Sequence, residues 1–394
     1  MTIRRFFSGV ERATRRELRR IASSGEYRAV LWWLPLGLVL FFAIFFSQEV
    51  VGELSVAVVD EDNTPLSRRV VSMIRTSPET RLVEEFSDME QARRALLRGD
   101  VVGVVEIERG FGSTLLAGKT AEITYYDSGA NISTNSLSGK GVQTAVTTFG
   151  VGVAVARAEM MGATRERALA ESMPIAFTTY GLFNPWLNYA YYIAPCFWAM
   201  VLIIASMLST IYAVGWELRY GGAVEWLRSA NGSTLVALLG KLLPSTLALW
   251  LLAVVTGTLL FGVFGAPMRG EWGVLVAGTL LLISAYQGVA VFVVALTASM
   301  RLSLSLGGGY SVLAFTFSGV TFPTMAMLST VQPFTQLFPY TYFMRLYIDQ
   351  AVRGSAWWLS MQDLGAIMLF LLLPLLALGR LRRVVLNRKF WGRL

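Results

Sequence analysis

Apolar runs long enough to cross a lipid bilayer recur along this chain, and they are spread unevenly. A spanning helix needs roughly 20 apolar residues, and residues 189–214, YAYYIAPCFWAMVLIIASMLSTIYAV, run 26 residues without a charge. Runs at 234–264, 272–298, 302–322 and 364–378 predict four more spans. Ahead of them stands one short run, 30–46, rich in aromatics and carrying Pro35. Trp32 and Trp33 at its start suit the membrane interface. Its basic flank is long and no small-x-small site follows, so it reads as a retained first span and not as a cleaved leader. The pattern predicts a mainly α membrane protein with six transmembrane helices.

Between the first and second spans the period changes. LSVAVVDED, RLVEEF, VVGVVEIE and AEITYYD alternate as strands. Asn63-Thr64-Pro65 turns into the helix PLSRRVVSMIRTS, and Ser87 or Asp88 caps the helix DMEQARRALLRGD, which stops at Gly99. Residues 47–188 therefore predict an α/β domain. A long or broken helix over 133–173, rich in Gly and Ala, returns the chain to the second span. Ahead of all this, Ile3, Phe6, Phe7, Val10, Leu18 and Ile21 share one helical face and arginines fill the other. Residues 1–29 thus predict an amphipathic helix at the membrane surface, either anchored on anionic lipid or docked on a cytoplasmic partner.

Charge orients the scheme. Eight arginines precede Val30, six basic residues follow Gly379, and residues 47–189 hold 13 basic and 18 acidic side chains, a net of −5. Basic clusters that hug apolar spans report topology and not nucleic-acid binding. Arg219, Arg228 and Arg301 belong with the basic ends. Both termini and the basic tail 380–394 are then expected inside, with the α/β domain outside.

Candidate chemistry is sparse. The chain has no histidine, and its one cysteine, Cys196, sits in an apolar span, which speaks for packing and against zinc or an intrachain disulfide. Ala117-Gly118-Lys119-Thr120 brushes a phosphate-loop signature, but five residues separate Gly112 from Gly118 where that motif has four. Asp60, Glu61 and Asp62 read as a solvated turn. Lys241, in the third span, is expected to snorkel to the headgroups. Ser284, Gln287, Ser303, Ser305 and Gly307–Gly309 permit close helix contact. The segment 323–363, interrupted by Pro323, Pro333 and Pro339, reads as a re-entrant hairpin or as an amphipathic surface loop. No chain of intramembrane carboxylates suggests a proton relay.

One span, an outward α/β domain and five further spans resemble the permease subunit of ABC-2 type exporters, in the bacterial branch with an enlarged extracytoplasmic domain. Phe183-Asn184-Pro185 is similar to that branch's lead-in to the second span. Ser318, Gly319, Phe322 and Pro323, with Phe338, Pro339 and Tyr342, resemble its pre-final hairpin. The loop carrying Glu217, Arg219, Gly221, Glu225 and Arg228 resembles the ATPase-coupling stretch. Glu217 and Gly221 match the family pattern, whereas Trp216, Arg219 and Gly222 depart from it.

The resemblance implies a transport subunit and not an enzyme. It would bind no cofactor itself, with ATP and Mg held by a cytoplasmic ABC ATPase. It would pair with a second permease copy or paralogue in the bacterial inner membrane, among lipids and without nucleic acid, and a periplasmic membrane-fusion adaptor is the partner implied for the outer domain. The expected activity is export of an amphipathic or drug-like substrate, with Glu217 and Glu225 meeting basic groups on the ATPase and Arg219 and Arg228 acidic ones. A receptor or assembly scaffold with an outward sensor, and a proton-driven exporter, are the alternative readings.

Overall fold

The computed structural model describes residues 3–45, 53–129, 132–173, 182–183 and 189–392. Phe46, Asn184 and Pro185 lie outside these. The chain divides into two compact units, Val50–Asn188 and Met1–Glu49 with Tyr189–Leu394.

The first is α/β. Among the described residues its four strands, β1 (Leu54–Asp60), β2 (Thr80–Phe86), β3 (Gly103–Ile107) and β4 (Ile123–Asp127), lie in the order β2-β1-β3-β4. β1 runs parallel to β2 and β3, and β4 is antiparallel to β3. A central parallel strand is covered on both faces, so β1 is apolar at successive positions and not alternately. Val56 and Val58 pack with Val70, Ile74, Val142 and Phe149 on one side, while Ala57 and Val59 pack with Ala92 and Ala95 on the other. The helices on these faces start where their caps dictate. Thr64 makes a capping box with Ser67 ahead of Pro65–Arg75, and Asp88 caps Met89–Arg98, each cap being worth about 1 kcal/mol. The long helix Ile132–Met160 ends at Gly162, with φ of 89°, and a short helix Arg165–Ser172 follows.

The acidic turn after β1 is a staple and not merely solvated. Asp60 accepts from the amides of Asp62 and Asn63 and from the Ser67 hydroxyl. Asp62 accepts from the amides of Gly110 and Gly112, both at 2.9 Å, and from the Thr64 hydroxyl. Desolvation favours the protonated Asp62, but the donors on Thr64, Gly112, Gly110 and Phe111 outweigh it and hold the carboxyl below its usual range. A depressed carboxyl contributes stability that is full above its unfolded value, about 3.9, and is lost as pH falls through the lower folded value. Asp62→Asn should therefore weaken the anchoring of the 108–120 segment at neutral pH and flatten its acid dependence. Pulse proteolysis of that segment between pH 7 and pH 3 measures both. An unchanged acid profile in the variant would refute the assignment.

The second unit is helical. Among the described residues, five of its helices are long and apolar enough to cross a membrane: Gly25–Phe45, Tyr191–Arg219, Thr234–Val263, Trp272–Thr297 and Trp357–Leu386. The run at 302–322 forms a shorter helix, Met300–Phe317, of 18 residues. At about 1.5 Å per residue it is about 27 Å long, but Arg301, three serines and three glycines dilute its hydropathy. It stops where Gly319, with φ of 87°, turns the chain. In the last span Pro374 removes a backbone donor, and a tighter turn, Phe370–Leu372, precedes it. Gly288 of the fourth span faces this kink, and a Cβ there would sit 3.1 Å from the Phe370 carbonyl oxygen and from the Pro374 ring.

Small residues set the remaining approaches. A Cβ on Gly307 would come 2.5 Å from Ile211 and 3.0 Å from Met207, so this glycine lets Met300–Phe317 lie flat on the second span. Gln287 donates to Ser245 and accepts from Thr246, tying the fourth span to the third. Cys196 is buried, as its apolar surroundings predict.

In the segment before the last span, the helix Pro339–Tyr347 is buried among the long helices. Tyr340 donates to the carbonyl of Cys196 at 2.8 Å, and Tyr192 donates to that of Val320. The Phe338 ring lies between those of Tyr310 and Phe317. Ser318 donates to the Phe315 carbonyl, and Tyr342 donates to that of Gln336. Phe322, by contrast, is exposed.

Candidate functional site

The N-terminal helix Ile3–Ser23 turns an unexpected side to the protein. Ile3 is 78% exposed and Phe7 67%, while the buried line is Gly9, Ala13 and Glu17, four residues apart and hence on one stripe. This line packs on the third span. A Cβ on Gly240 would lie 2.5 Å from that of Ala13 and 2.8 Å from the Val10 carbonyl oxygen. The apolar face read from the sequence is therefore not the packing face. Phe6, Val10 and Ile21 reach the core from its edge, and Ile3, Phe7 and Leu18 stay outward.

That close approach brings five charges together. Lys241 Nζ lies 2.6 Å from Glu17 Oε2 and 2.8 Å from Glu217 Oε1, and all three side chains are 1% exposed. Arg16 grips Glu217 with both terminal nitrogens, at 2.6 and 2.9 Å. Arg20 reaches Glu217 at 3.3 Å and the Ala213 carbonyl at 3.1 Å, and its guanidinium sits 4.7 Å from the Trp216 ring centroid. Lys241 likewise lies 5.2 Å from the Trp226 ring. Burial disfavours the Arg16 cation, but the hydrogen bond and charge of Glu217 prevail and raise its pKa.

Three cations and two carboxylates leave this junction with a net charge of +1. Burying charge is tolerable only with such pairing, and removing one partner from a buried pair costs about 3–5 kcal/mol. Lys241 does not snorkel: a chain held by two buried carboxylates has no reason to reach for headgroups. Glu217 is not on the described surface either, so it is not placed to meet another protein directly. Gly222, which departs from the family pattern, has a steric reason to be glycine. A Cβ there would lie 2.5 Å from Glu217 Oε2 and 3.2 Å from Arg16 Nη2, intruding on the fork.

Beyond the junction the chain turns at Gly221, where φ is 72°, into the short helix Ala223–Ser229. Its inner side is fixed. Ala223, Trp226 and Leu227 are buried, and the Trp226 indole donates to the Ala237 carbonyl at 3.0 Å. Arg12 clamps the far end through the Ser229 carbonyl and Asn231, and Asn231 returns a bond to the Arg5 carbonyl. Glu225, Arg228 and Arg219 are exposed and form no ion pair among the described residues. Of the loop residues picked out by sequence, three thus face outward, Gly221 makes the turn, and Glu217 points inward. Arg16, Glu17 and Arg20 were not picked out at all. The available signal was Lys241 itself, since an ionisable residue within a span calls for a partner.

These features define a multi-pass helical membrane protein in which one short inter-span connection is locked to an amphipathic end helix. Residues 28–380 match the family described as ABC-2 family transporter protein, and the chain belongs to it. Neither the curated proteins nor the solved structures contain a match to this chain. Members of this family are ABC transporter permeases, transport components and not themselves catalysts. Membership also implies an ABC ATPase partner and a dimeric membrane assembly.

Proposed function

We propose that this chain is the permease subunit of an ATP-driven exporter that moves an amphipathic substrate out of the cytoplasm or inner membrane of a bacterium. In this reading Met300–Phe317 is a sixth span, both basic termini are cytoplasmic, and the α/β unit lies outside. There it guides substrate or receives an adaptor of the membrane-fusion type. ATP and Mg stay on the partner.

One observation supports this best. The helix Ala223–Ser229 offers unpaired charges outward, Glu225 and Arg228, while its inner side is fastened through Trp226 and the Gly222–Glu217 corner to two other helices. A push on such an element moves the second span, the third span and the N-terminal helix together. The pre-final hairpin, bonded to the second span through Tyr340, would follow.

Glu225→Lys tests the surface while leaving the ion pairs of the junction in place, since Glu225 acts on Arg16 only as a more distant charge. Membrane level and melting should stay near wild type, because surface substitutions usually change stability by less than about 0.5 kcal/mol. Affinity for the ATPase should fall on the order of tenfold or more, since misplaced like charges at an interface cost several kcal/mol. Co-purification of the ATPase and vanadate-sensitive hydrolysis in the complex measure this. Retention of both in the variant would count against the coupling role.

A further inference from the structure

The α/β unit holds a groove of about 650 Å³, inside the range of roughly 300–1,000 Å³ typical of small-molecule sites. Three helices form it. Pro65–Arg75 contributes Met73, Phe111–Leu116 contributes Leu115, and Ile132–Met160 contributes Phe149 and Val153. Gly152 also lines it with open space where a Cβ would stand, leaving the helix backbone bare. Met160 and Met161 lie at one end, exposed, and thioether side chains of this kind adapt to varied apolar shapes.

Two cations, Arg69 and Arg157, join this apolar lining. Neither side chain makes a hydrogen bond or ion pair among the described residues. Arg165 of this unit also lacks an ion pair among them, whereas Arg75, Arg81, Arg98, Arg109 and Arg167 each have a carboxylate partner. Gly118 seats one of them. Its φ is 74°, and a Cβ there would collide with the Arg157 guanidinium. The Gly118-Lys119-Thr120 stretch is thus no phosphate loop, but its glycine lets an arginine lie against the backbone beside the groove.

We propose that this groove binds an amphipathic anion, with an acyl-like tail along Met73, Leu115, Phe149 and Val153 and a carboxylate or phosphate head on Arg69 and Arg157. An apolar trough alone takes any greasy surface. Two guanidinium forks without internal partners select a head that is anionic and accepts paired hydrogen bonds. The inference deepens the export reading by naming the class of cargo met on the outer side, and it rests on that reading only in calling the ligand a substrate.

The test uses the full chain in nanodiscs of neutral phosphatidylcholine and palmitate carrying a terminal diazirine as the probe. Light should place adducts on residues 115–116 and 149–161. Unlabelled palmitate should compete at least tenfold better than hexadecanol. Arg69→Ala with Arg157→Ala should cut labelling at least tenfold while leaving the melting profile intact, and Gly118→Val should reduce it by displacing Arg157. Arg157→Lys should retain part of the labelling, as a charge without the fork. Competition by phosphatidylglycerol added to the disc, against competition by free palmitate, assigns the natural anion to the bilayer or to solution, and either supports the site. Equal competition by hexadecanol, adducts scattered over the unit, or labelling that appears only after another protein is stripped from the groove would overturn it. Absence of a co-purifying ATPase would instead overturn the export reading and leave the anion site standing.

Discussion

Replacing Glu217 with Lys is expected to prevent the helical unit from accumulating in folded form. The carboxylate is shared by Arg16, Arg20 and Lys241, and it is almost wholly buried. The substitution removes that anion and adds a fourth cation, leaving Glu17 as the one carboxylate among them. Loss of one partner from a buried pair already costs about 3–5 kcal/mol, and the added repulsion raises this further, against a total stability of about 5–15 kcal/mol for an ordinary domain. Membrane level and the melting temperature of purified protein are the measurements. The double variant Glu217→Gln with Lys241→Met keeps the junction at a net +1 and should be milder than its two single changes combined, with an interaction of about 0.5–3 kcal/mol. A fully folded Glu217→Lys protein that merely fails to transport would show that Glu217 acts at an outer surface after all.

Gly240→Leu should separate the N-terminal helix from the third span. Even the first added carbon would fall 2.5 Å from the Ala13 Cβ and 2.8 Å from the Val10 carbonyl oxygen, and backbone cannot yield as a side-chain tip can. Overpacking of this kind costs about 1–3 kcal/mol. Here it also breaks the 3.1 Å bond from the Thr14 hydroxyl to the Gly240 carbonyl and draws Glu17 away from Lys241. The variant should melt several degrees lower and expose residues 3–23 to protease. Gly379→Leu, where a new Cβ meets open space, is the control. Equal behaviour of the two variants would refute the close packing.

The α/β unit was legible because its signals are local. Alternation, Thr64 ahead of Pro65, Asp88 and Gly99 mark strand and helix ends within a few residues of the atoms they bond. The short helix Phe111–Leu116 escaped, since six residues capped by a glycine carry little period. The helical unit was legible only as lengths of apolar chain. There, Met300–Phe317 proved shorter than its apolar run, and the N-terminal helix packed on its small residues in place of its large ones.

The charged junction escaped for a different reason. Glu17 and Lys241 are 224 residues apart and Lys241 and Glu217 are 24 apart, so no window along the chain holds them together. Taken singly, each had a plausible exposed role: an arginine-rich helix on headgroups, a lysine snorkelling, a glutamate facing a partner. By itself the chain determined that it is mainly helical with several long apolar helices, that a small α/β region stands among them, and which caps end that region's elements, because those depend on neighbours in sequence. Which charges are buried, and against which partners, was decided only in three dimensions. Desolvation and Coulomb attraction act between whichever groups the packing of small residues brings within a few ångströms.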